Sequence, residues 1–347
     1  MKKALLALLL VLIVAMAGCA NQSNSSSGDS EKITLKVATH TNQEHYSYKI
    51  GIEPWMDKVT ELTDGKVEFE VYTNEQLGKA KDSYNLVKNK VADISFIVYA
   101  QDKMPLTDLP MLPNIYGSAY EGTRAYWDVS SDGGIMLEKA FLPNGIRPIF
   151  NFAVSPFTFG TVNEKIENLE DIEGMKLRTS GGLLDLTLNE LQGTPISMPV
   201  TDARQALERG TIEGIMTSWL SIKPYQLEKP LNYIISNAPL NGWAAFYAIN
   251  EEKYQSLPQD VKEAMKKASE ETVINLAEKI NDSEEKVKTS LKEEGIEIYP
   301  LEDEQVQKWE KELDPLVNEW ISEMEKKGLP AQKVYDEFKK SVEKYKE

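Results

Sequence analysis

Polar and apolar residues alternate through Ile33-Thr-Leu-Lys-Val-Ala-Thr39, which predicts a half-buried strand. From 44 to 63 the period changes. Tyr48, Ile52, Trp55, Val59 and Leu62 fall three and four apart, as on one face of a helix, and Asp64-Gly65 ends it. Val67–Tyr72 alternates again, a helix is expected near 79–91, and Ala92–Val98 is an apolar strand. This β-α-β-α-β rhythm is that of a parallel sheet covered by helices. Residues 104–115, with prolines at 105, 110 and 113, predict an ordered loop. Helices around 118–128 and 133–141 and a strand over 146–153 complete the region.

A second β-α-β region begins near Phe157. Asn168–Gly174 predicts a short helical turn closed by glycine. Strands are expected at 175–178, 195–199, 212–217 and 243–249, with helices at 183–192 and 201–209. From Pro258 to about Glu294 there is no further proline and no glycine. Val261, Met265, Ala268, Thr272, Leu276 and Ile280 fall at helical spacing, and Val287 and Leu291 continue the stripe. An unbroken helix here would be about 55 Å long at 1.5 Å per residue, too long for one small lobe to cover. It is expected to lie across two lobes, the alternative being a kink near Asn281-Asp282. The tail from Leu301 predicts further amphipathic helices.

The start of the chain differs from all of this. Lys2 and Lys3 precede an apolar run from Ala4 to Ala17 that ends Met16-Ala17-Gly18-Cys19. A basic start, a short apolar core and small residues at the end are the marks of a cleaved export signal over 1–18. The core is short for a permanent membrane span. The stretch resembles a bacterial lipoprotein lipobox, with Met16 where leucine is more usual. That resemblance implies acylation of Cys19, the only cysteine, and anchoring to a membrane with the fold extracytoplasmic. Residues 19–31 form a polar tether. Removing residues 1–18 leaves 37 basic against 55 acidic side chains, a net charge of −18. Such a surface repels nucleic acid. No later apolar run is long enough to span a bilayer.

The middle of the chain carries a resemblance. Leu169-Glu-Asp-Ile-Glu-Gly-Met-Lys-Leu-Arg178 resembles the "eDlkGlKiR" segment of solute-binding proteins of the tripartite ATP-independent periplasmic (TRAP) transporters, the DctP family. Phe69–Tyr72 with Glu75-Gln-Leu-Gly78, Val91–Ile94, Gly193–Ile196 with Ala206–Gly214, and Tyr254–Pro258 match further family segments in order, over about residues 33 to 300. The resemblance implies an α/β, two-lobed periplasmic-binding-protein-like fold (type II-like) with a long helix spanning both lobes. Lobe I would hold 32–154 plus 243–283, and lobe II 155–242 plus 284–347. It implies capture of a small organic acid without chemistry on it, no cofactor, and delivery to ion-gradient-driven permease subunits. The alternative is a binding protein of an ATP-driven importer or a sensor of the same fold.

Arg178 matches the family arginine that grips the solute carboxylate. A guanidinium offers a planar fork suited to two oxygens. The alternative is a structural ion pair with Asp171 or Glu173. Where many relatives carry a further arginine this chain has Thr158, and where they have an asparagine it has Thr217 or Ser218, with Glu213 in place of an aspartate. Losing a cation favours a monocarboxylate with a less polar body over a dicarboxylate. Trp219, Trp243, Phe157 and Tyr99 lie near strand ends or lobe crossings and could wall the site, or pack in the core as aromatics commonly do. His40 could donate to a ligand oxygen. His40 and His45 lack the third ligand of a zinc pattern, so no metal is expected. Among enzyme signatures there is no G-x-S-x-G, Walker loop or H-E-x-x-H, and the absence of repeats argues against a structural surface protein.

Overall fold

The computed structural model describes residues 32–98, 100 and 102–346; the expected signal segment, Cys19 and its tether, and Tyr99 lie outside the described residues. Strand β1 (Ile33–Ala38) leads through a π-helical turn (Ser47–Ile52) into α1 (Glu53–Leu62). Then come β2 (Val67–Tyr72), α2 (Ser83–Lys88), β3 (Ile94–Ile97), α3 (Ala119–Ser130) and β4 (Ile146–Val154). The proline-bearing loop contains a 3-10 helix, Pro105–Met111. The second region comprises β5 (Thr158–Thr161), β6 (Lys176–Thr179), α4 (Leu183–Glu190), β7 (Thr194–Ser197), α5 (Val200–Glu208), β8 (Gly214–Thr217), α6 (Trp219–Ile222) and β9 (Tyr233–Ile235). The chain returns through β10 (Trp243–Asn250) and α7 (Glu251–Ser256) to α8 (Gln259–Glu293). It closes with β11 (Glu297–Tyr299), α9 (Asp303–Lys326) and α10 (Ala331–Val342).

The strands form a five-stranded sheet, order β2-β1-β3-β10-β4, and a six-stranded sheet, order β11-β9-β5-β8-β6-β7. In the first, β1 runs parallel to β2 and β3, while β10, arriving after the excursion into the second lobe, lies antiparallel to β3 and β4. In the second, β6 is parallel to β7 and β8, and β5 is antiparallel to β8 and β9. Each sheet has its own buried cores, so the β-α-β regions predicted from the pattern and the two-lobed α/β fold implied by the resemblance are present. The short strands β9 and β11 were not predicted. Each is three residues long, and they pair with each other across 64 positions of sequence, Tyr233 with Glu297. No local alternation marks so short a strand.

Helix α8 is a single helix of 35 residues, with no break at Asn281-Asp282. Its Val261, Met265, Ala268, Leu276 and Ile280 pack in the first lobe and Leu291 in the second. The Trp55 indole of α1 donates to Ser269 Oγ of α8 at 3.0 Å. Helix α9 also crosses. Trp309, Leu313 and Leu316 pack in the second lobe, whereas Trp320, Ile321 and Met324 pack in the first, with Pro315 beside Leu316, the last of the first set. Helix α10 lies on α3, where Asp128 accepts from the Ser341 hydroxyl at 2.5 Å, Lys344 Nζ at 3.0 Å and the Tyr345 hydroxyl at 3.1 Å. The tail from about Trp320 therefore packs on lobe I, unlike the assignment of all of 284–347 to lobe II. Amphipathic spacing marks which face is buried but not against which lobe.

The chain passes between the lobes at 155–157 and again at 236–242, and the two passages are tied together. Phe157 N donates to Asn241 O at 2.8 Å, and Asn241 Nδ2 donates to Met111 O at 2.9 Å. Gly242 permits a close approach: a Cβ there would sit 1.8 Å from the Tyr116 hydroxyl oxygen. That hydroxyl donates to Val154 O at 3.1 Å.

Candidate functional site

Arg178 sits within β6 of the second lobe's sheet, registered with Ile196 of β7 and Ile215 of β8. It is only 5 % exposed. Its Nε donates to Met198 O at 2.9 Å. Among the described residues it makes no salt bridge, and the alternative pairing with Asp171 or Glu173 does not form. Asp171 instead accepts from Glu167 N and Asn168 N at 2.9 and 2.8 Å, in a capping box that starts the short 3-10 turn. Burial pushes the guanidinium below its ordinary value, the nearby Tyr225 acting the other way. An arginine nonetheless stays charged in proteins. A buried cation is costly until an anion or further acceptors reach it, and a planar guanidinium can take two anionic oxygens side by side.

The neighbouring side chains are mostly spoken for. Asp185 of α4 accepts from the Thr179 hydroxyl and from Ser197 Oγ, the latter at 2.7 Å. Thr158 and Thr217 face each other across β5 and β8, both buried. The Thr158 hydroxyl donates to Ile235 O. Ser218 Oγ lies 2.9 Å from Ser221 Oγ. Trp219 is 2 % exposed in a core of the second lobe, with Lys288 Nζ 5.1 Å above its ring.

Phe157 and Trp243 lie at the passages themselves. Phe157 is half-buried and packs against the cores of both lobes. Trp243, half-buried, opens β10 opposite Val154 and lies 6.0 Å from Phe152, ring centre to ring centre. His40, two residues beyond β1, stacks on Phe96 at 4.9 Å with planes 6° apart. Burial lowers its pKa, with Glu75 opposing. His45 is lowered to about 4, chiefly by burial and then by His40. Both rings are thus neutral donors or acceptors near neutral pH.

What the sequence did not single out is the array these groups join. Phe96 lies 4.8 Å from Tyr247 and 5.9 Å from Phe152, and Tyr46 meets Phe152 edge-on at 5.6 Å. Together with His40, His45 and Trp243 they form a continuous aromatic cluster, with Phe96, Phe152 and Tyr247 buried in the core of the first lobe and Trp243 half-buried at its edge, worth about 0.5–1.5 kcal/mol per pair beyond burial. The signal available was three strands, each with an aromatic in an apolar run. Their convergence depends on β10 inserting between β3 and β4.

Among the described residues no helix is long and apolar enough to cross a membrane. The family model for bacterial extracellular solute-binding protein, family 7 (DctP) matches residues 38–323. The C4-dicarboxylate-binding periplasmic protein of Rhodobacter capsulatus is 24% identical over 280 residues, covering 78% of this chain and 81% of its own. A TRAP periplasmic solute-binding protein of Desulfovibrio salexigens superposes with a TM-score of 0.83 at 24% identity, covering 91% of this chain and 97% of its own. A marine metagenome TRAP solute-binding protein specific for aromatic acid ligands, solved with metahydroxyphenylacetate, superposes with a TM-score of 0.77 at 22% identity over 91% of this chain and 100% of its own. With the match spanning most of the described residues and the fold shared, the chain belongs to the DctP family of TRAP solute-binding proteins.

Proposed function

We propose that this protein captures a small monocarboxylate with an aromatic or otherwise apolar body, its carboxylate held by Arg178, and hands it to the permease subunits of a TRAP transporter. At the family level it is an extracytoplasmic binding protein for small organic acids, not an enzyme. The reading rests on one observation: a guanidinium 5 % exposed, with no carboxylate on it among the described residues. A second cation would be needed to hold a dicarboxylate at both ends. Thr158, standing where many relatives carry an arginine, already gives its hydroxyl to Ile235 O. The half-buried Phe157 and Trp243, backed by the buried aromatic cluster of the first lobe, supply apolar surface for the body of the solute. The marine metagenome neighbour's preference for aromatic acids fits this reading better than the R. capsulatus relative's C4-dicarboxylates.

In the same proposal, residues 1–18 are an export signal and Cys19 carries the lipid that fastens the chain to the membrane. The first lobe holds 32–154 plus 243–283, and the second 155–242 with the chain from 284 until α9 passes back. Native mass spectrometry of the purified protein, with calorimetric titration of benzoate against succinate and malate, tests it. Benzoate binding weakened by about 2–5 kcal/mol in Arg178→Ala is the expected result. Tighter binding of succinate or malate than of any monocarboxylate, or unchanged affinity in Arg178→Ala, overturns it.

A further inference from the structure

One carboxylate enters the interior on the helix that crosses both lobes. Glu284 of α8 is 1 % exposed, one turn beyond Ile280 on the buried stripe of that helix. It accepts twice from one residue. Ser155 N donates to Oε1 at 3.1 Å and the Ser155 hydroxyl donates to Oε2. Ser155 Oγ in turn accepts from Ala119 N, at the first residue of α3, at 3.0 Å. Ser155 is the first residue after β4, where the chain leaves the first lobe, two residues before Phe157 and three before Thr158. One side chain thus ties the crossing helix, the crossing strand and the start of α3 together.

We infer that Glu284 is a positioning residue of the solute cleft: by holding Ser155 at both donors it fixes how the strand passes from one lobe to the other, and with it the setting of the lobes. The inference is independent of which solute is bound. A purely structural interior position would be filled by another leucine or isoleucine, as on either side of it. A carboxylate there, costly to bury, makes the joint sensitive to protons. Burial raises its pKa to about 7, the two Ser155 donors opposing. Its titratable neighbours are Tyr46, from the segment ahead of the π-helical turn, Tyr116, from the loop ahead of α3, and Lys288 and Glu285 on its own helix. Both phenols are pushed up and stay neutral, and Lys288 is paired with Glu285 at 2.7 Å. Glu284 is therefore the group here that changes charge near neutral pH. On protonation one oxygen becomes a donor, while Ser155 Oγ already accepts from Ala119 N. The pair must rearrange, and its grip on the strand loosens.

Hydrogen–deuterium exchange of the full chain, read on peptides covering 154–158 and corrected for intrinsic rates, tests this without any ligand. In the wild type, protection is expected to rise with pH through a midpoint near 7. Glu284→Gln is expected to lose protection about tenfold and to lose the midpoint, by the worth of a hydrogen bond to a charged group. Ser155→Ala, which keeps the amide donor, should fall between. Equal pH profiles in wild type and Glu284→Gln overturn the inference. If Glu284→Gln does not fold, the wild-type profile and Ser155→Ala decide: no midpoint between pH 6 and 8 in the wild type, or no effect of Ser155→Ala, overturns it.

Discussion

The two lobes share an architecture but present different chemistry. The first gathers rings: Phe96, Phe152, Tyr247 and Trp243, with His40 stacked on the end. The second gathers polar groups, with Arg178 and Thr179 on one strand and Thr217 on its neighbour. The difference teaches where selectivity resides. In the proposed function, the guanidinium takes the carboxylate whatever it is attached to, and the ring-bearing lobe discriminates by the shape and polarity of the remainder.

The largest blow to this division is expected from Arg178→Ala. It should cost about 2–5 kcal/mol of affinity for benzoate, as truncating one partner of a buried charge pair does, measured by titration calorimetry. The same change should leave the unliganded protein as stable or more so by thermal melting, since a cation buried without a counter-ion is removed.

Next in size is the pH dependence of stability. Glu284 has a folded pKa raised from 4.5 to about 7. Against the unfolded chain, where Glu284 is solvated, its contribution is fully present below the unfolded value and is lost as pH rises through the folded one, by up to about 3 kcal/mol at 1.36 kcal/mol per unit. Against a local opening that breaks the Ser155 bonds but leaves Glu284 buried the sign reverses, because those bonds favour the ionised form. Glu284→Gln should flatten that part of the profile in denaturant melts between pH 4.5 and 8. An unchanged slope would assign the titration to another group.

Gly242→Ala should destabilise by about 1–3 kcal/mol in the same assay, because the added methyl meets the Tyr116 hydroxyl at the lobe passage. Smallest, Trp243→Ala should weaken benzoate binding by about 1 kcal/mol more than it weakens acetate binding. Equal losses for both would place the ring outside the recognition surface.

Much of the fold was legible because the signals were long or strictly periodic. The alternation of Ile33–Ala38 and Val67–Tyr72 and the uninterrupted stripe of α8 each set an element within a residue or two of its observed ends. Arg178 was marked as a candidate by the motif around it, whereas its burial without a carboxylate partner had no local signal. The fate of the aromatics was not. Trp219 packs in a core while Phe157 touches the cores of both lobes, and nothing local separates them, since burial depends on what distant strands bring alongside. The return of α10 to the first lobe was hidden for the same reason. Glu284 had a local signal, an acid on the stripe between Ile280 and Leu291, that a search for apolar spacing passes over.

The fastening of α10 to α3 through Asp128 brings the last described helix to rest on the lobe in which β1 starts. Both ends of the folded chain thus belong to one body, and the other is built from 155–242 together with the stretch from the end of α8 through β11 to the middle of α9. The other body, which carries Arg178, is joined to it through the strand passages and the two long helices, so a force applied at either end of the folded chain is taken up by the first body.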